Sequence, residues 1–98
     1  MKTVTEQSVR AFLLEMYRAP LARKGLAPAD VPGDYDLLRE GVIDSLGILE
    51  MLEALEQEYG VPINFEGLEN DDATRVDPLS RHVAGVVAAA GVTGKMVA

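Results

Sequence analysis

From Thr3 onward, apolar residues recur at helical spacing. Val9, Phe12, Leu13, Met16 and Tyr17 follow a Thr3 and Glu6 pair spaced as a capping box, which predicts an amphipathic first helix. Its end has two readings. Pro20 breaks or kinks a helix, whereas Arg18, Arg23 and Lys24 followed by Gly25 suit a C-terminus near residue 24. Between Gly25 and Ile43 the periodicity stops at Pro28, Pro32, Gly33 and Gly41, leaving a long loop that Leu26, Tyr35, Leu37, Leu38, Val42 and Ile43 would pin to a core. Loops of such length in small domains tend to carry function or lead into it. This one leads into Asp44-Ser45.

A second helix is predicted from Ser45 to Tyr59, stopped by Gly60, with Leu46, Ile48, Met51, Leu52, Leu55 and Tyr59 as its apolar face. Residues 61–76 are mixed, with Phe65, Leu68, Ala73 and Val76 as core candidates and a short helix near Asn70 to Thr74. Asp77 as cap and Pro78 at the first position open a last helix, whose face is Leu79, Val83, Val86, Val87 and Ala90. Gly91 ends it. The pattern predicts an all-α fold, a small four-helix bundle of three main helices and one short one, over residues 1–91, with 92–98 as a C-terminal tail.

Ninety-eight residues suit one domain with a modest core and no deep active site. The chain has no cysteine and a single histidine, His82, which excludes disulfides, thiolate chemistry of its own and the usual zinc sets. With no membrane-length apolar run and no leader pattern, the expectation is a soluble, cytoplasmic protein that does not engage a membrane. Charge is uneven. No Lys or Arg occurs between Arg39 and Arg75, and ten of the sixteen acids lie there. Such a stretch repels nucleic acid and attracts basic protein surfaces, so the expected partner is a protein and not nucleic acid.

Ser45 stands where the long loop meets the most apolar helix. Taken alone it is a helix cap, with Asp44 complementing the dipole, and Asp-Ser-Leu is a weak tripeptide. The wider stretch says more. Gly41-Val42-Ile43-Asp44-Ser45-Leu46, then Glu50, Leu55, Glu56 and Tyr59-Gly60-Val61, resembles the acyl carrier protein family. The likeness extends to Asp34-Tyr35-Asp36-Leu37-Leu38 before the motif and to Val76 through Val83 after it. The resemblance implies an acyl-carrier-like bundle in which Ser45 carries a covalent 4′-phosphopantetheine arm derived from coenzyme A. It also implies a non-catalytic monomer served by a phosphopantetheinyl transferase, an acyl- or aminoacyl-loading ligase or adenylation enzyme, and a downstream acyltransferase or synthase. An anion at Ser45 would meet the free N–H groups of a helix start.

Glu50, Glu53 and Glu56, spaced by three, crowd one side of the second helix. By themselves they form a solvated face of good helix formers, at a repulsive cost of a few tenths of a kcal/mol, roughly, per pair. The resemblance makes that side a docking surface, comprising Leu49, Glu50, Glu53, Glu56 and Gln57, with Asp44 and Leu46 beside Ser45. Two positions depart from fatty-acid carriers, Gly47 and the acidic Glu53. Ile43 to Gly47 looks closer to discrete aminoacyl carriers, including D-alanyl carriers and standalone carriers of polyketide or nonribosomal peptide pathways. Gly47 suggests close approach by a partner or by the arm.

An unmodified carrier-like adaptor or regulatory subunit is the alternative reading. A serine hydrolase lacks a positioned base and oxyanion hole, a di-metal helix site lacks its Glu-x-x-His, and Asp30, Asp34 and Asp36 do not make a calcium loop. His82 reads as a partly buried or surface residue.

Overall fold

The computed structural model describes residues 3–91; the tail assigned to 92–98 lies outside them. Four α-helices make the architecture of the described residues: α1 (Glu6–Met16), α2 (Arg18–Arg23), α3 (Ser45–Tyr59) and α4 (Val76–Ala89). Three are long and one is short, and no described residue belongs to a β-strand, so the chain is a small all-α bundle.

The short helix is α2, not a segment near Asn70, where only a 3-10 turn, Asn70–Asp72, forms. Pro20 decides this. Inside a continuous helix it could not donate to the carbonyl of Met16 and its ring would strike it. The chain therefore breaks at Tyr17 (φ −107°, ψ 21°) and restarts at Arg18, placing Pro20 in a first turn where no intrahelical donor is needed. Both sequence readings hold in part, since α2 ends at Arg23, just before Lys24 and Gly25.

The capping box of α1 sits two residues later than expected. Thr5 Oγ1 accepts the Ser8 N–H at 3.1 Å and Ser8 Oγ accepts the Thr5 N–H at 2.9 Å. Glu6 is thereby free to reach Arg81 on α4, at 3.4 Å. Residues Val9, Leu13 and Leu14 of α1 are buried against Val76, Leu79, Val83 and Val87 of α4. Leu14 escaped the one-face pattern because α1 touches neighbours on more than one side. Leu21, Val31, Leu37, Ile43, Met51, Leu55, Val61 and Ile63 complete the core, and Phe12 meets Tyr59 edge-on with centroids 5.9 Å apart.

Asp77 does not cap α4, and Pro78 is its third residue, not its first. The cap residue is Arg75, whose side chain makes no capping bond; the loop backbone does the work instead. The Val76 and Asp77 N–H groups donate to the carbonyls of Tyr35 (3.0 Å) and Gly33 (2.9 Å), and Leu37 N–H donates to Thr74 at 2.9 Å. With its first donors satisfied by another segment, the helix starts earlier than side-chain signals suggest. Released from capping, the Asp77 carboxylate pairs with Arg10 of α1 at 3.0 Å, and Arg10 also donates to the Val31 carbonyl. Asp36 braces the same junction by accepting from Thr74 Oγ1 at 2.6 Å and from the Leu38 and Arg39 N–H groups. The long loop is thus fastened to α1 and α4, which fixes where it delivers Asp44-Ser45. No helix among the described residues is long and apolar enough to cross a membrane.

Candidate functional site

Helix α3 begins at Ser45, as the sequence suggests, but Ser45 is not its cap. Asp44 is, with its Oδ1 accepting the Gly47 N–H at 2.7 Å. Ser45 occupies the first helical position, exposed, and its hydroxyl makes no hydrogen bond to another described residue. The two roles that merged in the sequence are therefore separated: one residue holds the helix end and the next presents a free oxygen.

Gly47 has an internal reason. A Cβ there would lie 3.1 Å from Ile43 Cβ and 3.3 Å from the capping oxygen of Asp44, so the small residue lets the cap close over the buried Ile43. Glycine here thus has a packing reason within the fold, independent of any approach by a partner or by the arm.

Along α3, Leu46, Leu49, Glu50, Glu53 and Gln57 are exposed. At 3.6 residues per turn they span an arc of about 100° flanked by Ser45. Leu46 and Leu49 are 63% and 64% exposed, which removes Leu46 from the core face assigned to it and sets two leucines in a field of carboxylates. Glu56 differs from the other acids. Its carboxylate accepts the Ile63 N–H at 2.9 Å, tying the segment after Gly60 back onto the helix, so its first service is to the fold. His82 is similarly occupied. Its Nε2 lies 2.7 Å from the Asn64 carbonyl, which can only accept, so the ring nitrogen carries the proton and donates.

On the other flank of the Asp44–Gly47 turn lies a pocket of about 290 Å³, between the α1–α2 junction and α3. Tyr17, Arg23, Val42, Asp44, Gly47 and Glu50 line it. Burial, helped by the charge of Glu50, pushes the Tyr17 phenol up to about 12, so it stays a neutral donor at any physiological pH. Sequence reading placed Tyr17 in the core stripe and Arg23 at a helix end, and missed the pocket. The signal was Pro20, which bends the chain here. Among the described residues, no group of three or more His, Asp or Glu side chains is placed to hold a metal ion.

No protein-family model, curated protein or solved structure matches this chain.

Proposed function

We propose that the protein is an acyl or aminoacyl carrier that bears a 4′-phosphopantetheine arm on Ser45 and presents thioester-linked cargo to partner enzymes. The observation that carries this reading is the free, exposed Ser45 hydroxyl at the first position of α3, its capping duty taken by Asp44. A residue whose substitution would disturb neither cap nor core can accept a bulky group without cost to the fold.

The residues present fit that group. The hydroxyl faces open solvent, and the N-terminal turn tolerates an anion, with Asp44 the one carboxylate set against it. In the loading step Ser45 Oγ attacks the phosphorus bearing pantetheine in coenzyme A. A new O–P bond forms, the pyrophosphate P–O bond breaks, adenosine 3′,5′-bisphosphate leaves, and the hydroxyl proton passes to a base of the transferase. The attached arm supplies a terminal thiol that holds cargo as a thioester.

Leu46, Leu49, Glu50, Glu53 and Gln57 then serve as the docking surface for the transferase, a loading ligase or adenylation enzyme, and an acyltransferase or synthase. Apolar anchors ringed by exposed charge give fast, salt-sensitive contacts that release easily, as a shuttling carrier requires. Intact mass after incubation with coenzyme A and a broad-specificity phosphopantetheinyl transferase tests the reading. The expected result is one phosphopantetheine added to the wild type and none to Ser45→Ala. No gain on the wild type, or an equal gain on Ser45→Ala, would leave an unmodified adaptor as the better account.

A further inference from the structure

The pocket that borders the Asp44–Gly47 turn brings together polar groups that the fold does not use. Arg23 makes no ion pair with a described residue, the Glu50 carboxylate is likewise without one, and the Tyr17 hydroxyl is a neutral donor. Asp44, Gly47 and Glu50 succeed one another at three-residue steps, so one stripe of α3 runs from the Ser45 turn into the pocket.

The lining selects by charge. Two carboxylates facing one guanidinium disfavour an anion, and the guanidinium disfavours a simple cation. Donors and acceptors set side by side fit a neutral group that offers both, and the amide is the commonest such group. An arm fixed to Ser45 by phosphopantetheine carries amides joined by short apolar links, and it starts within the turn that borders the pocket.

We propose that this pocket receives the amide-bearing segment of the arm, so that the loaded protein holds its arm folded against the α1–α2 junction instead of extended into solvent. This rests on the carrier reading. Arg23 donates to an amide carbonyl, Glu50 accepts an amide N–H, and the Tyr17 hydroxyl serves a second carbonyl or the pantoyl hydroxyl. The polar arm segment is bound between α3 and the α1–α2 junction, at the Glu50 edge of the docking arc. A partner that grips Leu49 and Glu53 would meet an arm already gathered nearby.

Nuclear magnetic resonance of the unloaded and loaded full chain tests this, with loading first checked by mass. Resonances of Tyr17, Arg23, Val42 and Glu50 should shift on loading. In Arg23→Gln and in Tyr17→Phe, both of which leave α3 intact, those shifts should shrink while Ser45 still loads completely. Shifts confined to residues 44–47 in the loaded wild type would overturn the pocket and leave the carrier reading standing. The same shifts produced on the unloaded chain by inorganic phosphate would show an anion site and also overturn it. If mass shows no loading, the carrier reading fails by itself and the unloaded chain is titrated with free pantetheine. Shifts at the same four residues then uphold the pocket, and their absence overturns it.

Discussion

Replacing Gly33 by alanine should destabilise the protein through a residue far away in sequence. A Cβ on Gly33 would lie 2.1 Å from Asp77 Oδ2 and 2.7 Å from Asp77 Cγ, so the carboxylate must move. It cannot move without loosening the 3.0 Å contact with Arg10, which in turn holds the Val31 carbonyl. A hydrogen bond to a charged group is worth about 1.5–3 kcal/mol, and the partly exposed setting of this one brings the expectation down to about 1–2 kcal/mol. Asp77→Ala removes the same contact and should cost a similar amount. The next nearest atom to the added Cβ is 3.4 Å away and also belongs to the Asp77 carboxylate, so in an Asp77→Ala background the alanine at 33 meets no obstacle. There Gly33→Ala should be neutral, or stabilising by up to about 1 kcal/mol through the less flexible unfolded chain. Urea midpoints for the wild type, both single variants and the double variant measure this, provided the slope is unchanged. If the two single costs simply add, glycine at 33 is not there to admit Asp77, and the account of how the loop is fastened fails.

Three further outcomes follow from the separation of cap and hydroxyl and from the bracing of the loop. Ser45→Ala should leave the urea midpoint equivalent to within about 0.5 kcal/mol, because Ser45 does not cap α3; a loss of cap size would return Ser45 to the capping role. Asp44→Ala should cost about 0.5–2 kcal/mol in the same assay, with Asp44→Asn recovering most of it, since either side chain accepts the Gly47 N–H. Asp36 gives a pH dependence. Burial alone would raise its carboxyl, but hydrogen bonds from Thr74, Arg39 and Leu38 and the charge of Arg75 outweigh it, and the group lies below its ordinary 3.8. A depressed folded pKa means the carboxylate contributes stability above about 3.8, lost progressively as pH falls through the folded value. Thermal melts from neutral to strongly acidic pH should show a smaller acid loss in Asp36→Asn than in the wild type; equal losses would remove Asp36 from the account.

How much the sequence discloses depends on which part of the molecule makes the decision. Helix α3 was legible in both bounds because its signals are local: Asp44 and Gly60 are its own end residues, and Met51 and Leu55 lie at helical spacing on the buried side. Helix α4 was legible in most of its face, where Leu79, Val83 and Val87 are buried, but not at Ala90, which is exposed beyond the helix end, and not in its start. Its first N–H groups are satisfied by carbonyls of Gly33 and Tyr35, more than forty residues back, and no pattern around Asp77 and Pro78 announces that. The site divides in the same way. Position and exposure of Ser45 follow from the local turn, whereas the engagement of Glu56 by Ile63 and the pocket at Tyr17 depend on how distant segments return to α3.

That division bears on the proposed docking face. Glu50, Glu53 and Glu56 are alike in sequence, equally spaced and equally charged, and the fold makes them unlike. Glu56 is drawn toward the segment after Gly60, Glu50 turns partly toward the Tyr17 pocket, and Glu53 stays wholly in the solvent arc beside Leu46 and Leu49. A partner reading this helix through charge alone would weight the three equally, and one reading it at contact distance would not. Within the carrier reading, recognition of the protein at long range belongs to the whole base-free acidic stretch. Within that reading, discrimination at contact falls to Glu53, Gln57 and the two exposed leucines, exposed α3 side chains with neither the Ile63 tie of Glu56 nor the pocket position of Glu50.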